Sequence, residues 1–263
     1  MMQKAVGFAT ALMWIVVAGC AGQQGPDSAF KSESSATGAE SADRVRARIH
    51  TELAGGYFEL GNMGVAIEEV KEALRSDANY GPAHNVSGLI YSALKEDRLA
   101  EESFRRALQL NPFDPDANHN YGQFLCQRKR EEEGIRHFLA AVKNPLYQSL
   151  GRSYTNAGIC ARRRGDAANA TDYFQLALKT QPGQPQALYH SADLAFARGD
   201  YAAAKGYLNR LTQVSVANAE ILWLGVRVER RLGDRNSEAS YAMQLKNKFP
   251  DSKEARLLAS GEN

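Results

Sequence analysis

No apolar run in this sequence is long enough to cross a bilayer as a helix. The longest, Ala5 to Val17, has 13 residues, where a spanning helix needs about 20, and nothing else points to a polytopic membrane protein. An excess of one charge sign is also missing. The 32 Lys and Arg against 30 Asp and Glu leave a formal +2, which suggests neither a nucleic-acid surface nor an acidic tail. G-x-G-x-x-G, a phosphate loop, H-E-x-x-H and G-x-S-x-G are all absent, so no cofactor, metal or small-molecule substrate is expected and an enzyme is not indicated. The five histidines, His50, His84, His119, His137 and His190, lack ligand spacing. Cysteine is scarce: Cys20, Cys126 and Cys160 are the whole set.

What is present begins with Lys4 and the short apolar core, a pattern that suits a secretory signal. The core closes on Val17-Ala18-Gly19-Cys20, which resembles the bacterial lipobox and implies lipidation of Cys20 after removal of residues 1–19. Removing Lys4 lowers the formal charge from +2 to +1. Ala21 follows Cys20 where an inner-membrane lipoprotein would carry aspartate. By resemblance to Gram-negative lipoproteins this implies the outer membrane, facing the periplasm. Residues 20–43 are rich in Gly, Gln, Ser, Ala and acid, too poor in apolar surface to offset ordering. They are expected to be a tether with a root-mean-square span of roughly 25–30 Å.

Beyond the tether the chain repeats itself. Ala66, Ala100, Gly134, Ala170 and Ala204 are separated by 34, 34, 36 and 34 residues. Val70, Phe104, Phe138, Phe174 and Leu208 keep the same register, and Ala73, Ala107, Ala141 and Ala177 follow three further on. Gly88, Gly122, Gly158 and Gly225, with Ala54 and Ala192, mark close approach in the first helix of each unit. This period of small and large residues resembles the tetratricopeptide repeat (TPR) consensus. The expectation is an all-α chain: a right-handed TPR α-solenoid of about six helix-turn-helix units over 44–250, with 251–263 as a cap.

In such a solenoid the first helices line the inner face. The residues expected there are Thr51, Phe58, Asn85, Leu89, Ser92, His119, Gln123, Thr155, Ile159, Arg162, Tyr189, Asp193 and Phe196. Phe58, Leu89, Ile159, Tyr189 and Phe196 suit either an apolar peptide groove or packing between repeats. Glu131–Glu133 open a second helix and favour its dipole. Arg162–Arg164 close a first helix, which reads either as dipole complement or as contact with an acidic partner. Cys126 and Cys160 lie in consecutive first helices, but the 36-residue unit sets Cys160 level with Phe124. A bridge requires facing positions, so a disulfide and two buried thiols both stay open.

The 36-residue unit is the departure that discriminates. Asn144-Pro145-Leu146-Tyr147, then Tyr154-Thr155-Asn156-Ala157-Gly158-Ile159-Cys160, resembles the type IV pilus biogenesis/stability lipoproteins, the PilW/PilF pilotin family. N-x-x-Y-G-x-F-L-C at Asn118–Cys126 and L-K-x-x-F-P at Leu245–Pro250 are shared as well. The resemblance implies a noncatalytic outer-membrane lipoprotein that assists localisation and multimerisation of the pilus secretin, with secretin subunits as partners. The competing expectation is another periplasmic outer-membrane TPR adaptor, such as one serving β-barrel assembly.

Overall fold

Short apolar stripes interrupted by polar turns fold into helical pairs. The computed structural model describes residues 40–261. Cys20, the leader and all of the tether before Glu40 lie outside them. Among the described residues the first pairs are α1 (Ala42–Glu59) with α2 (Met63–Ser76), α3 (Gly81–Ala93) with α4 (Asp97–Leu110), and α5 (Pro115–Gln127) with α6 (Glu131–Ala141). The next are α7 (Leu150–Arg163) with α8 (Ala167–Thr180), α9 (Pro185–Ala197) with α10 (Tyr201–Val214), and α11 (Ala219–Leu232) with α12 (Arg235–Lys248). A short α13 (Lys253–Ser260) packs on α11 and α12. The protein is a TPR α-solenoid of six repeats.

Helix α1 takes up Ala42 and Asp43, which the composition assigned to the tether. The Ser41 hydroxyl accepts from the Arg44 N–H at 3.2 Å and so moves the start back. Each first helix then ends on a left-handed residue: Gly61, Lys95, Lys129, Gly165, Gly199 and Gly233. The next N–H returns to a carbonyl of the helix, as from Glu96 to Tyr91 and from Asp166 to Ala161, both at 2.9 Å.

Small residues face large ones inside each pair. Phe104, Phe138 and Phe174 are fully buried. A Cβ on Gly158 would stand 2.5 Å from the Phe174 ring, and one on Gly122 2.9 Å from the Gly134 carbonyl oxygen. Those contacts leave no room for a methyl group, so the period of the sequence is a packing requirement. First helices of neighbouring repeats touch, whereas second helices of neighbouring repeats do not. The array therefore curves with its first helices on the inner side. No described helix is long and apolar enough to cross a membrane.

Candidate functional site

The inner face divides the thirteen expected residues into two groups. Thr51, Asn85, His119 and Thr155 are buried and leave the candidate surface. The two threonine hydroxyls donate at 2.7 Å to carbonyls one turn back, Ala47 and Gly151. That bond satisfies the hydroxyl locally and lets each threonine pack against the neighbouring helices. Asn85 accepts from Asn120 Nδ2 at 3.1 Å across α3 and α5.

The other nine retain surface, but not one common surface. Phe58 borders the core between α1 and α2, Leu89 that around Phe104, and Ser92 gives its carbonyl to Arg128 at 3.4 Å. Gln123 is exposed. Ile159, Arg162, Tyr189, Asp193 and Phe196 belong together: the three apolar residues border one cluster, on α7 and α9. Arg162 pairs with Asp193, and its Nη1 lies 2.8 Å from His190 Nδ1. Arg227 of α11 completes the group, 3.8 Å from Asp193 Oδ1 and stacked 4.3 Å above the Phe196 ring. Sequence reasoning missed Arg227 because it sits in the least regular repeat.

Titration follows burial here. The His190 imidazole is held down to about 4, first by burial and then by the Arg162 guanidinium. The Tyr189 phenol is pushed up to about 12, first by burial and then by the Asp193 carboxylate.

A second polar centre lies inside the 36-residue unit. Arg152 Nε donates to His119 Nε2 at 3.3 Å, so His119 carries its proton on Nδ1 and donates it to Ser153 Oγ at 2.7 Å. Ser153 Oγ is 3.0 Å from the Tyr147 hydroxyl. Burial, and secondarily the Arg152 charge, lowers the His119 pKa to about 3. His119, Ser153 and Tyr147 are buried, Arg152 covers them from the exposed side, and together they join α5 to α7 through the loop between α6 and α7. Alongside it Cys126 and Cys160 form a disulfide with Cα atoms 5.8 Å apart. The bridge links positions that are not equivalent in the repeat.

Two exposed apolar features had no place in the sequence reading. Ile49, Leu53, Tyr57 and Leu60 line a shallow cavity of about 460 Å³ on α1; their i, i+4, i+8, i+11 spacing was the available signal. Phe113 and Leu146 stand about 80 % exposed at equivalent points of successive junctions, tied by a bond from Asn144 Nδ2 to the Phe113 carbonyl at 3.2 Å. Among the described residues no group of three His, Cys, Asp or Glu could hold a metal ion.

Paired helices and small-to-aromatic locks define a TPR scaffold, and tetratricopeptide-repeat profiles match residues 81–114, 98–148 and 161–222. The type IV pilus assembly protein PilF of Pseudomonas aeruginosa is 32 % identical over 205 residues, which cover 78 % of this chain and 81 % of that protein. A solved structure of P. aeruginosa PilF superposes with a TM-score of 0.79 at 29 % identity, covering 84 % of this chain and 100 % of the other. A crystal structure of PilW, a widely conserved type IV pilus biogenesis factor, gives 0.73 at 32 % identity, with 81 % and 98 % covered. The chain belongs to the PilF/PilW family of type IV pilus TPR proteins.

Proposed function

We propose that this protein is an outer-membrane lipoprotein, anchored through Cys20 and facing the periplasm, that acts as a pilotin for the type IV pilus secretin. Kinship with PilF and PilW over about four fifths of the chain is the observation that carries this reading. The lipobox-like Val17–Cys20 sequence supports the anchor. One acyl chain binds a membrane only marginally, so several on one cysteine give durable attachment. A scaffold held at the membrane raises the local concentration of the secretin segments it binds, and this favours ring assembly without chemistry on the substrate. Its first-helix surface is the expected contact.

The test is a clean deletion, with secretin assembly read as heat-resistant multimers on denaturing gels. Secretin should still be made, with multimers depleted and then restored by the intact gene. A Cys20→Ser copy should restore them poorly, with secretin misplaced. Normal multimers and normal pili in the deletion would contradict the proposal. Recovery of barrel-assembly components without secretin in a pull-down would assign the protein to another class of adaptor.

A further inference from the structure

Arg162 and Arg227 approach one carboxylate, Asp193, from opposite helices. The Arg162, Asp193 and Arg227 side chains are 37 %, 18 % and 25 % exposed, so all three reach the surface. A guanidinium carries five N–H donors. Arg162 uses one on Asp193 and directs another at His190 Nδ1, while Arg227 has only the long 3.8 Å approach to Asp193 and the face of Phe196. The remaining N–H donors of the two guanidiniums meet no protein acceptor among the described residues, and both side chains are partly exposed. His190 stays neutral there and adds no charge. Two other charged groups bear on this region, Arg163 beside His190 and Glu220 beside Tyr189. Around them lie the partly exposed Tyr189, Phe196 and Ile159.

We propose that the inner face of α7, α9 and α11 is a docking site for an acidic peptide segment of a protein partner, whose carboxylate enters between Arg162 and Arg227 while an adjacent apolar side chain rests on Tyr189 and Ile159. Charge complementarity commits the site to that occupant: two guanidiniums share one carboxylate, and a second carboxylate meets preorganised, already orientated forks. Asp193 holds both arginines in place and competes with the incoming acid. A clamp that merely tied three helices together would need no open donors and would gain nothing from losing Asp193. The proposal deepens the pilotin reading by naming the chemistry of the bound segment, yet its test does not require the partner to be secretin.

The probes are a fluorescein-labelled peptide of alternating Glu and Leu around one Phe, and its twin with Gln for each Glu. Binding is read by fluorescence anisotropy on the mature protein at low and high salt. The acidic peptide should bind about tenfold tighter than its twin, with the difference shrinking at high salt. Arg162→Gln with Arg227→Gln should remove about tenfold of that affinity, and Asp193→Asn should tighten binding about threefold. Should the double arginine variant fail to fold, the Asp193→Asn shift and the peptide pair still decide. Equal affinity for the two peptides, no binding of either, or weaker binding by a folded Asp193→Asn protein would overturn the proposal. The secretin multimer assay is independent: normal multimers in the deletion would sink the pilotin reading and leave the acidic site standing.

Discussion

Asn111-Pro112-Phe113 and Asn144-Pro145-Leu146 open successive repeat junctions with the same turn and complete it in opposite ways. In both, the asparagine side chain accepts from the N–H two residues on, at 3.1 Å and 2.9 Å. In the first, Asp114 follows at once and caps α5 through the Ala117 N–H at 2.8 Å. Asn118 Nδ2 then donates to the Pro112 and Asp114 carbonyls, both at 2.9 Å. In the second, α6 stops at Ala141, Tyr147 turns inward, and Ser149 gives α7 no side-chain cap. What replaces the local caps reaches back to the preceding repeat: Tyr147 meets Ser153, which meets His119 34 residues earlier, and Cys160 is bridged to Cys126. The regular junction is thus held by its own residues. The expanded one depends on the repeat before it.

The largest separation of the two should come from the disulfide. Replacing Cys126 and Cys160 by alanine is expected to cost about 4 kcal/mol, through a closed loop whose ends are 34 residues apart. Hydrogen exchange should accelerate in α5–α8 and hold steady in α1–α4. Equal acceleration throughout would erase the distinction between the junctions.

Acid should weaken the expanded junction next. His119 has a folded pKa near 3 against an ordinary 6.5, so the unfolded chain takes up the proton first as pH falls. The stability it contributes is complete above about pH 6.5 and is lost progressively toward pH 3, at up to about 1.4 kcal/mol per pH unit. Urea midpoints between pH 6.5 and 5 should fall less in His119→Gln than in the parent, although the variant is less stable at neutral pH.

Smaller effects sharpen the contrast in local bonding. Asp114→Ala should cost about 1 kcal/mol and fray only the start of α5. Tyr147→Phe should cost about 1 kcal/mol too, but with faster exchange in both α5 and α7. Smallest is a gain: Lys95→Gly and Lys129→Gly relieve left-handed backbone at the turns, each raising stability by about 0.5–1 kcal/mol in thermal unfolding.

Most of the fold was legible because its signal is steric. A small residue must face a large one where two helices meet, so Gly88, Gly122 and Gly158 announced Phe104, Phe138 and Phe174 at a fixed offset. The candidate surface was read less well because residue type alone does not report burial. Thr51 and Thr155 hide their hydroxyls on their own helix, and His119 finds its partners 33 and 34 residues away. The disulfide could not be settled from spacing, since it crosses the repeat register. Arg227 gave no periodic signal and became visible only beside Asp193 and Phe196.

The most direct test of the account is photo-crosslinking in cells from a benzophenone amino acid placed singly at Ile159, Tyr189 or Leu176. The first two border the inner face on α7 and α9, whereas Leu176 is exposed on the second helix α8. Secretin captured from positions 159 and 189 but not from 176 is the predicted result. Secretin captured from 176 alone, or from none of the three while multimers assemble normally, would contradict it.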